Sequence, residues 1–299
     1  MDLGDCGCGI ITMMQFLGED NINTSFEQAQ VVILPLPVEF STSYGKGTAA
    51  GPQAILAASG FVELYDEELD LEICRKGIHT LPAGEFRGNP AEIMDNITAQ
   101  VTALLQNSKF VVVLGGEHSI SAAVYRAYHT RYKNLSVLQL DAHSDLRMEY
   151  ENSLYSHAAA MRRIWEQNHK IVQLGVRAQC SEEREFIKQH KISIYYAHQL
   201  HKNGFSDNLI KKMDKNIYLT IDVDFFDPTI MPSTGTPEPG GFFWYETLNF
   251  LRRVFQQRNV LGFDVVELSP IPTLKHADFM VAKLISKLIG FHFLEKDRR

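Results

Sequence analysis

Two short runs carry the chemistry of this chain: Asp141-Ala142-His143-Ser144-Asp145 and Asp222-Val223-Asp224. In extended backbone, side chains alternate between faces, so Asp141, His143 and Asp145 point the same way, and Asp222 and Asp224 share that spacing. Each run follows an apolar, β-branched stretch (136–140 and 217–221) that reads as a buried strand. Clustered carboxylates and an imidazole at the end of a buried strand are costly unless positive charge sits among them. Hard divalent cations are the simplest such charge. His118, after a third strand-like stretch at 110–114, brings the set to four carboxylates and two imidazoles. That is more than one ion needs unless it takes every group, and it suits two ions if some carboxylates bridge. Oxygen-rich ligation with some imidazole and no thiolate favours manganese, with zinc, iron or cobalt as alternatives. The chemistry is then metal-assisted hydrolysis. Any one of these residues alone reads better as a helix cap or a satisfied core histidine. The concurrence of three strand ends is what favours metal.

Strand-like and helix-like stretches alternate along the chain. Strands are expected at 31–34 (closed by Pro35 and Pro37), 110–114, 136–140, 171–174, 192–196, 217–221 and 260–266. Helices are expected from Gly51-Pro52, from Pro90 with Ile93, Ile97, Val101 and Leu104 at helical spacing, over 119–132 and over 277–289. Strands that are apolar throughout suit a parallel sheet covered on both faces. The expectation is an α/β fold, a three-layer α/β/α sandwich with a mostly parallel central sheet. In such sheets functional groups gather at the carboxyl ends of strands. His118, Asp141–Asp145, Asp222 with Asp224, and Glu267 after 260–266 all fall at such ends.

The chain has 299 residues, 45% hydrophobic and 22% charged, which is ample for a large core. No Pro/Gly/Ser-rich linker or internal repeat divides it, so 1–299 reads as one domain, with 1–24 as an N-terminal extension of uncertain order. Net charge is −7 and Lys and Arg are scattered, which argues against a nucleic-acid partner. Cys6, Cys8, Cys74 and Cys180 lack zinc-site spacing and read as reduced thiols. Residues 1–20 do not pattern as a signal peptide, and no apolar run is long enough for a bilayer. The expected location is cytoplasmic, without a membrane partner.

The motifs Gly115-Gly116-Glu117-His118-Ser119, Asp141-Ala142-His143-Ser144-Asp145, Asp222-Val223-Asp224 with Asp227-Pro228, and Gly262-Phe263-Asp264-Val265-Val266-Glu267 resemble those of the ureohydrolases, the arginase and agmatinase family. The resemblance runs from about residue 31 to 289. It implies an arginase-like sandwich, a homotrimer or homohexamer, and two Mn²⁺ ions per subunit. One ion would be held by His118, Asp141, Asp145 and Asp222, the other by His143, Asp141, Asp222 and Asp224, with Asp141 and Asp222 bridging. Glu267 matches the family glutamate that receives the guanidinium group, and His157 the proton-handling histidine.

Chemistry agrees with these roles. Two metals roughly 3.5–4 Å apart can bind a bridging water and lower its pKa toward neutrality. Asp145 is expected to orient the resulting hydroxide, and His157 to protonate the departing amine. Two divalent cations set against four aspartates, a hydroxide and Glu267 leave the site net negative, so it favours a small cationic guanidino substrate. A planar guanidinium pairs with a carboxylate at two points.

The choice of guanidino compound rests on the loops. Arginases carry Asn two residues after the metal Asp, where this chain has Arg147. Ser156-His157, Met161-Arg162-Arg163 and the loop 232–241 look more like agmatinases, although Ala158 replaces the usual Gly after the histidine. The leading expectation is hydrolysis of agmatine to putrescine and urea. Glu149, Glu151 and Glu238 are the expected acidic rim, and Arg147 is expected at the surface or a subunit contact. An Arg147 facing the pocket would instead suit a carboxylate such as guanidinobutyrate. Guanidinobutyrase, arginase and guanidine hydrolase are the alternatives within the family. A metal-dependent deacylase is a rival that would have no use for Glu267. A silent relative would not need the full ligand set. No nucleophile elbow or phosphate-cradling loop supports another enzyme class.

Overall fold

The computed structural model describes residues 14–22 and 24–296. Cys6 and Cys8 and the first part of the expected N-terminal extension lie outside the described residues. Ten strands are described: β1 (Val31–Leu36), β2 (Tyr65–Asp66), β3 (Leu71–Glu72), β4 (Ile78–Thr80), β5 (Phe110–Gly115), β6 (Leu135–Leu140), β7 (Ile171–Val176), β8 (Ser193–Tyr196), β9 (Asn216–Asp222) and β10 (Asn259–Val266). The helices are α1 (Gly51–Ser59), α2 (Pro90–Gln106), α3 (Ile120–Arg131), α4 (Ala160–Gln167), α5 (Ser181–His190), α6 (Ala197–Asn203), α7 (Asp207–Ile210), α8 (Trp244–Gln257) and α9 (His276–Lys296).

Eight strands form one sheet in the order β4-β1-β5-β10-β9-β6-β7-β8, and every pairing in it is parallel. β2 and β3 make a separate antiparallel pair. The strands bury alternate side chains on two faces, as their apolar sequences require. Phe110, Val112 and Leu114 pack with residues of α1, α8 and α9, while Val111 and Val113 pack with α2 and α3. The sandwich is therefore the expected three-layer one. α2 starts on Asn89, whose side chain accepts the Glu92 N–H while Glu92 returns the bond, with Pro90 in the first turn.

Two expectations need correction. β1 does not stop before Pro35 but runs through it. Pairing with β4 ends at Ile33, so Pro35 has a strand neighbour only on the β5 side and its missing N–H costs no ladder bond. The last helix begins at His276 and extends to Lys296, beyond the expected 277–289. Near the N-terminus, Phe16 and Leu17 are buried against the core, with their N–H groups donating to Thr80 Oγ1 and Ser59 Oγ at 2.9 Å.

The sheet order decides the site. β5 and β6 are consecutive in the main sheet's chain order, yet β10 and β9 lie between them. Such a switch point leaves a crevice at the carboxyl ends of the strands. Here those four neighbouring ends carry His118, Glu267, Asp222 with Asp224, and Asp141 to Asp145.

Candidate metal-binding active site

His118 follows β5 and points its Nδ1 at three carboxylates: Asp145 Oδ2 at 2.8 Å, Asp141 Oδ2 at 3.1 Å and Asp222 Oδ2 at 3.5 Å. No one of them is aligned with that nitrogen as a well-directed hydrogen-bond acceptor. Three carboxylate oxygens converge on one nitrogen of a buried ring, as donors converge on a cation. His143 Nδ1 lies 2.8 Å from Asp224 Oδ2 and 3.7 Å from Asp141 Oδ1. Donor atoms of His118, Asp141 and Asp145 fall within 4.8 Å of one another, as do those of Asp141, His143 and Asp224. Asp141 thus belongs to both groups, and Asp222 adjoins the first.

The strands hold these groups in place. Asp141 is fully buried, its Oδ2 accepting from Gln139 Nε2 at 2.6 Å and its Oδ1 from the His143 N–H at 2.5 Å. Asp224 Oδ1 accepts the Ala142 N–H and Asp222 Oδ1 the Asp224 N–H, each at 2.9 Å, stitching the two runs together. Glu267 Oε1 accepts the His118 N–H at 2.6 Å. Asp145 and Glu267 have φ of 50° and 66°, left-handed values that an Asp adopts readily but a Glu seldom does. Backbone strain of this kind persists where surrounding bonds over-determine it. Here Arg162 N–H donates to Asp145 O, and Glu267 N–H to Gly116 O.

Electrostatics show what the cluster lacks. Burial opposes charge on His118, but the facing carboxylates of Asp141, Asp145 and Asp222 overcome it and hold the imidazole well above its ordinary pKa. Burial opposes the His143 cation too, yet Asp224 and Asp141 push that imidazole up to about 12. Burial and the Asp141 charge raise Asp145 to about 7. Burial and Asp224 raise Asp222 well above the carboxylate range. Left to itself, the cluster neutralises its negative charge by retaining protons. Divalent cations would do this more completely, and the oxygen-rich donor set fits them.

His157 opens a turn at 157–159, with Nδ1 3.2 Å from Ser41 Oγ. Burial, then the neighbouring imidazoles of His118 and His143, lower its pKa to about 4. A cavity of about 320 Å³ is lined by His118, His143, Asp145, Asp222, Asp224, His157 and Glu267, so every expected site residue borders it except Asp141, which lies beneath. Glu149, Glu151 and Glu238 do not line it, contrary to expectation. Glu149 and Glu151 are exposed, and Glu238 is half-buried with its carbonyl bound by Arg177. Arg147 does line the cavity, its guanidinium 5.2 Å from the Tyr150 ring. The surface position expected for it is therefore corrected.

Two supports were invisible to the sequence reading. Arg177 binds main-chain oxygens rather than a carboxylate: Asp224 O at 2.6 Å, Glu238 O at 2.9 Å and Pro239 O at 3.1 Å. It fixes the turn that carries Asp224. Buried Glu183 accepts from Ser144 Oγ and Leu146 N–H at 2.8 Å and from Cys180 N–H at 2.7 Å, clamping the backbone on either side of Asp145.

A sequence profile of the arginase family matches residues 29–290. The chain belongs to the arginase family. This arginase-family hydrolase is 40% identical over 286 residues to the N(1)-aminopropylagmatine ureohydrolase of Synechocystis sp., covering 93% of each chain. It is 34% identical to an enzyme of the same name from Thermus thermophilus, covering 91% of this chain and 94% of that one. Among solved structures it resembles the agmatine ureohydrolase of Thermoplasma volcanium, with a TM-score of 0.88, 27% identity and coverage of 97% and 98%. Among the described residues, no helix is long and apolar enough to cross a membrane.

Proposed function

We propose that this ureohydrolase cleaves a linear guanidino-alkylamine of the agmatine series to urea and an amine, with N(1)-aminopropylagmatine ahead of agmatine itself, using two manganese ions. The observation that carries the reading is Glu267, a buried carboxylate facing the same cavity as two overlapping His/Asp donor groups. The likeness to two aminopropylagmatine ureohydrolases supports extending the expected agmatine by an aminopropyl arm. In this reading His118, Asp141, Asp145 and Asp222 hold one ion and His143, Asp141, Asp222 and Asp224 the other. Bound there, the pair of cations supplies a water ionised near neutral pH.

The chain's own residues do the rest. Glu267 receives the guanidinium and holds its carbon over the Asp/His cluster, replacing a bimolecular encounter by a fixed geometry. Asp145 accepts a hydrogen bond from the attacking oxygen. His157, neutral at working pH because burial disfavours its cation, takes a proton and gives it to the leaving nitrogen. Thr42, Gln179 and Thr236 also line the cavity and offer polar groups to the distal amine. The reading also carries a cytoplasmic homotrimer or homohexamer without nucleic-acid or membrane partners.

One observation favours a second substrate. Arg147 borders the cavity, and no carboxylate of the described residues lies within ion-pair distance of it, so a guanidino acid such as guanidinobutyrate has a counter-charge there. Urea release from N(1)-aminopropylagmatine, agmatine, guanidinobutyrate, arginine and guanidine, with added manganese and beside a chelated control, separates the readings. The expected order has N(1)-aminopropylagmatine first. Highest kcat/KM on guanidinobutyrate would overturn it in favour of the second reading.

A further inference from the structure

Ser41 lies in the loop after β1, far from every motif, yet its hydroxyl joins two groups of the site. Its Oγ accepts the His157 N–H at 2.9 Å and stands 3.2 Å from His157 Nδ1. On its other side Ser41 Oγ donates to Glu117 Oε1 at 2.9 Å. Glu117 is completely buried beside His118 and takes four donors: the N–H groups of Phe40 and Ser41 on Oε2, each at 2.7 Å, and the hydroxyls of Ser41 and Ser119 on Oε1. A carboxylate only accepts, so the single hydroxyl proton of Ser41 is committed to it. Nothing remains on Ser41 to donate to His157. The Nδ1 contact can be a hydrogen bond only if Nδ1 carries the proton. Ser156 Oγ, at 3.4 Å from Nδ1, lies beyond normal reach for a hydroxyl donor.

We propose that Ser41, held by Glu117, is a positioning residue that fixes His157 as its Nδ1–H tautomer and so leaves the Nε2 lone pair for the reacting groups in the cavity. The hydrogen bond made by one ring nitrogen decides what the other can do. The inference rests on the proposed guanidino hydrolysis. Adding hydroxide to the guanidinium carbon gives a neutral tetrahedral adduct. Nε2 takes the proton of its new hydroxyl, which becomes the urea C=O. The same nitrogen returns that proton to the alkyl-bearing nitrogen, and the C–N bond breaks with its electron pair going to the amine. A ring protonated on Nε2 at the outset could not take the first proton there.

The test compares manganese-loaded wild type with Ser41→Ala and Ser41→Thr by two readouts. Diethyl pyrocarbonate acylates an imidazole through a nitrogen lone pair, so the rate of His157 modification, followed by peptide mass, reports the tautomer without substrate. Urea release gives kcat and KM. Ser41→Ala is expected to slow acylation of His157 and to lower kcat roughly 10- to 100-fold with KM little changed, less than the roughly 10²–10⁴-fold that a positioned acid–base group contributes, because the imidazole itself remains. Ser41→Thr, which keeps the hydroxyl, is expected to restore both. Wild-type acylation in Ser41→Ala, or loss of both in Ser41→Thr at unchanged melting temperature, overturns the proposal. Absence of urea release from wild type would defeat the proposed function, while the acylation rates would still decide the tautomer.

Discussion

His118 Nε2 lies 3.0 Å from Thr220 Oγ1, on the neighbouring strand β9. Thr220 in turn donates to buried Asp264 Oδ1 at 2.6 Å, so its oxygen is free to accept the Nε2–H. The chain Asp264–Thr220–His118 holds an imidazole proton on Nε2 and leaves Nδ1, turned toward Asp141, Asp145 and Asp222, as the nitrogen that would meet a metal. Groups behind a ligand in this way set its basicity and orientation.

Thr220→Val keeps the shape of the side chain and removes the acceptor. It is expected to weaken manganese binding about 10- to 100-fold, the usual effect of losing a partner behind a metal ligand. Calorimetric titration of the metal-stripped protein measures it. An affinity equal to wild type would mean that Thr220 only fills space.

Metal uptake should expel protons. Against the effect of burial, Asp224 and Asp141 hold His143 up at about 12, and burial with the Asp141 charge raises Asp145 to about 7. Both must shed protons to act as ligands. Protons compete with the metal, so apparent affinity should rise with pH across the range around 7 and fall as the solution is acidified. Titrations near neutrality in buffers of different ionisation enthalpy would count the protons released. Affinity independent of pH would contradict the assignment of these two groups.

Glu267→Gln preserves the His118 N–H contact but removes the charge. On a guanidinium substrate, kcat/KM is expected to fall roughly 10- to 100-fold, corresponding to the ~1.5–3 kcal/mol of hydrogen bonds to charged groups. Steady-state urea release reads this directly. Undiminished activity on guanidines, together with cleavage of a neutral amide, would return the deacylase to contention.

Gly116 packs so closely on the loop after β1 that an added Cβ would sit 2.1 Å from Val38 O. Val38 O also accepts the Glu117 N–H at 2.8 Å. Gly116→Ala must push apart the segments that carry His118 and Ser41. Destabilisation of about 1–3 kcal/mol is expected from the overpacking, measurable by urea unfolding. Unchanged stability would show that the loop moves freely.

Much of this site could be read from strand ends. Apolar stretches closing on Asp141, Asp222 and Glu267 announced parallel strands and the edge that bears function. Periodicity could not say that β10 and β9 lie between β5 and β6, which is what makes the four ends one crevice. Gln139 on β6 and Thr220 on β9, polar residues among apolar neighbours near the strand ends, carried an unread signal: both prove to support site residues. Ser41, Arg177 and Glu183 gave no comparable sign. Their roles depend on groups far away in sequence, the Glu117 and His157 side chains for Ser41 and main-chain groups of other segments for Arg177 and Glu183, and a lone polar residue has no pattern that exposes such a partner. Pro35 misled for a related reason, since the end of a neighbouring strand cannot be seen from the strand itself. The acidic rim drawn from Glu149, Glu151 and Glu238 failed because loop residues can turn either way.

In the proposed function, Asp141 and its partners hold two manganese ions that together drive hydrolysis. Metal-stripped protein titrated with Mn²⁺ while urea release from N(1)-aminopropylagmatine is followed tests it most directly. No turnover is expected in chelator, and the rate is expected to saturate at two ions per chain. Full activity in chelator, or saturation at a single ion, would contradict it.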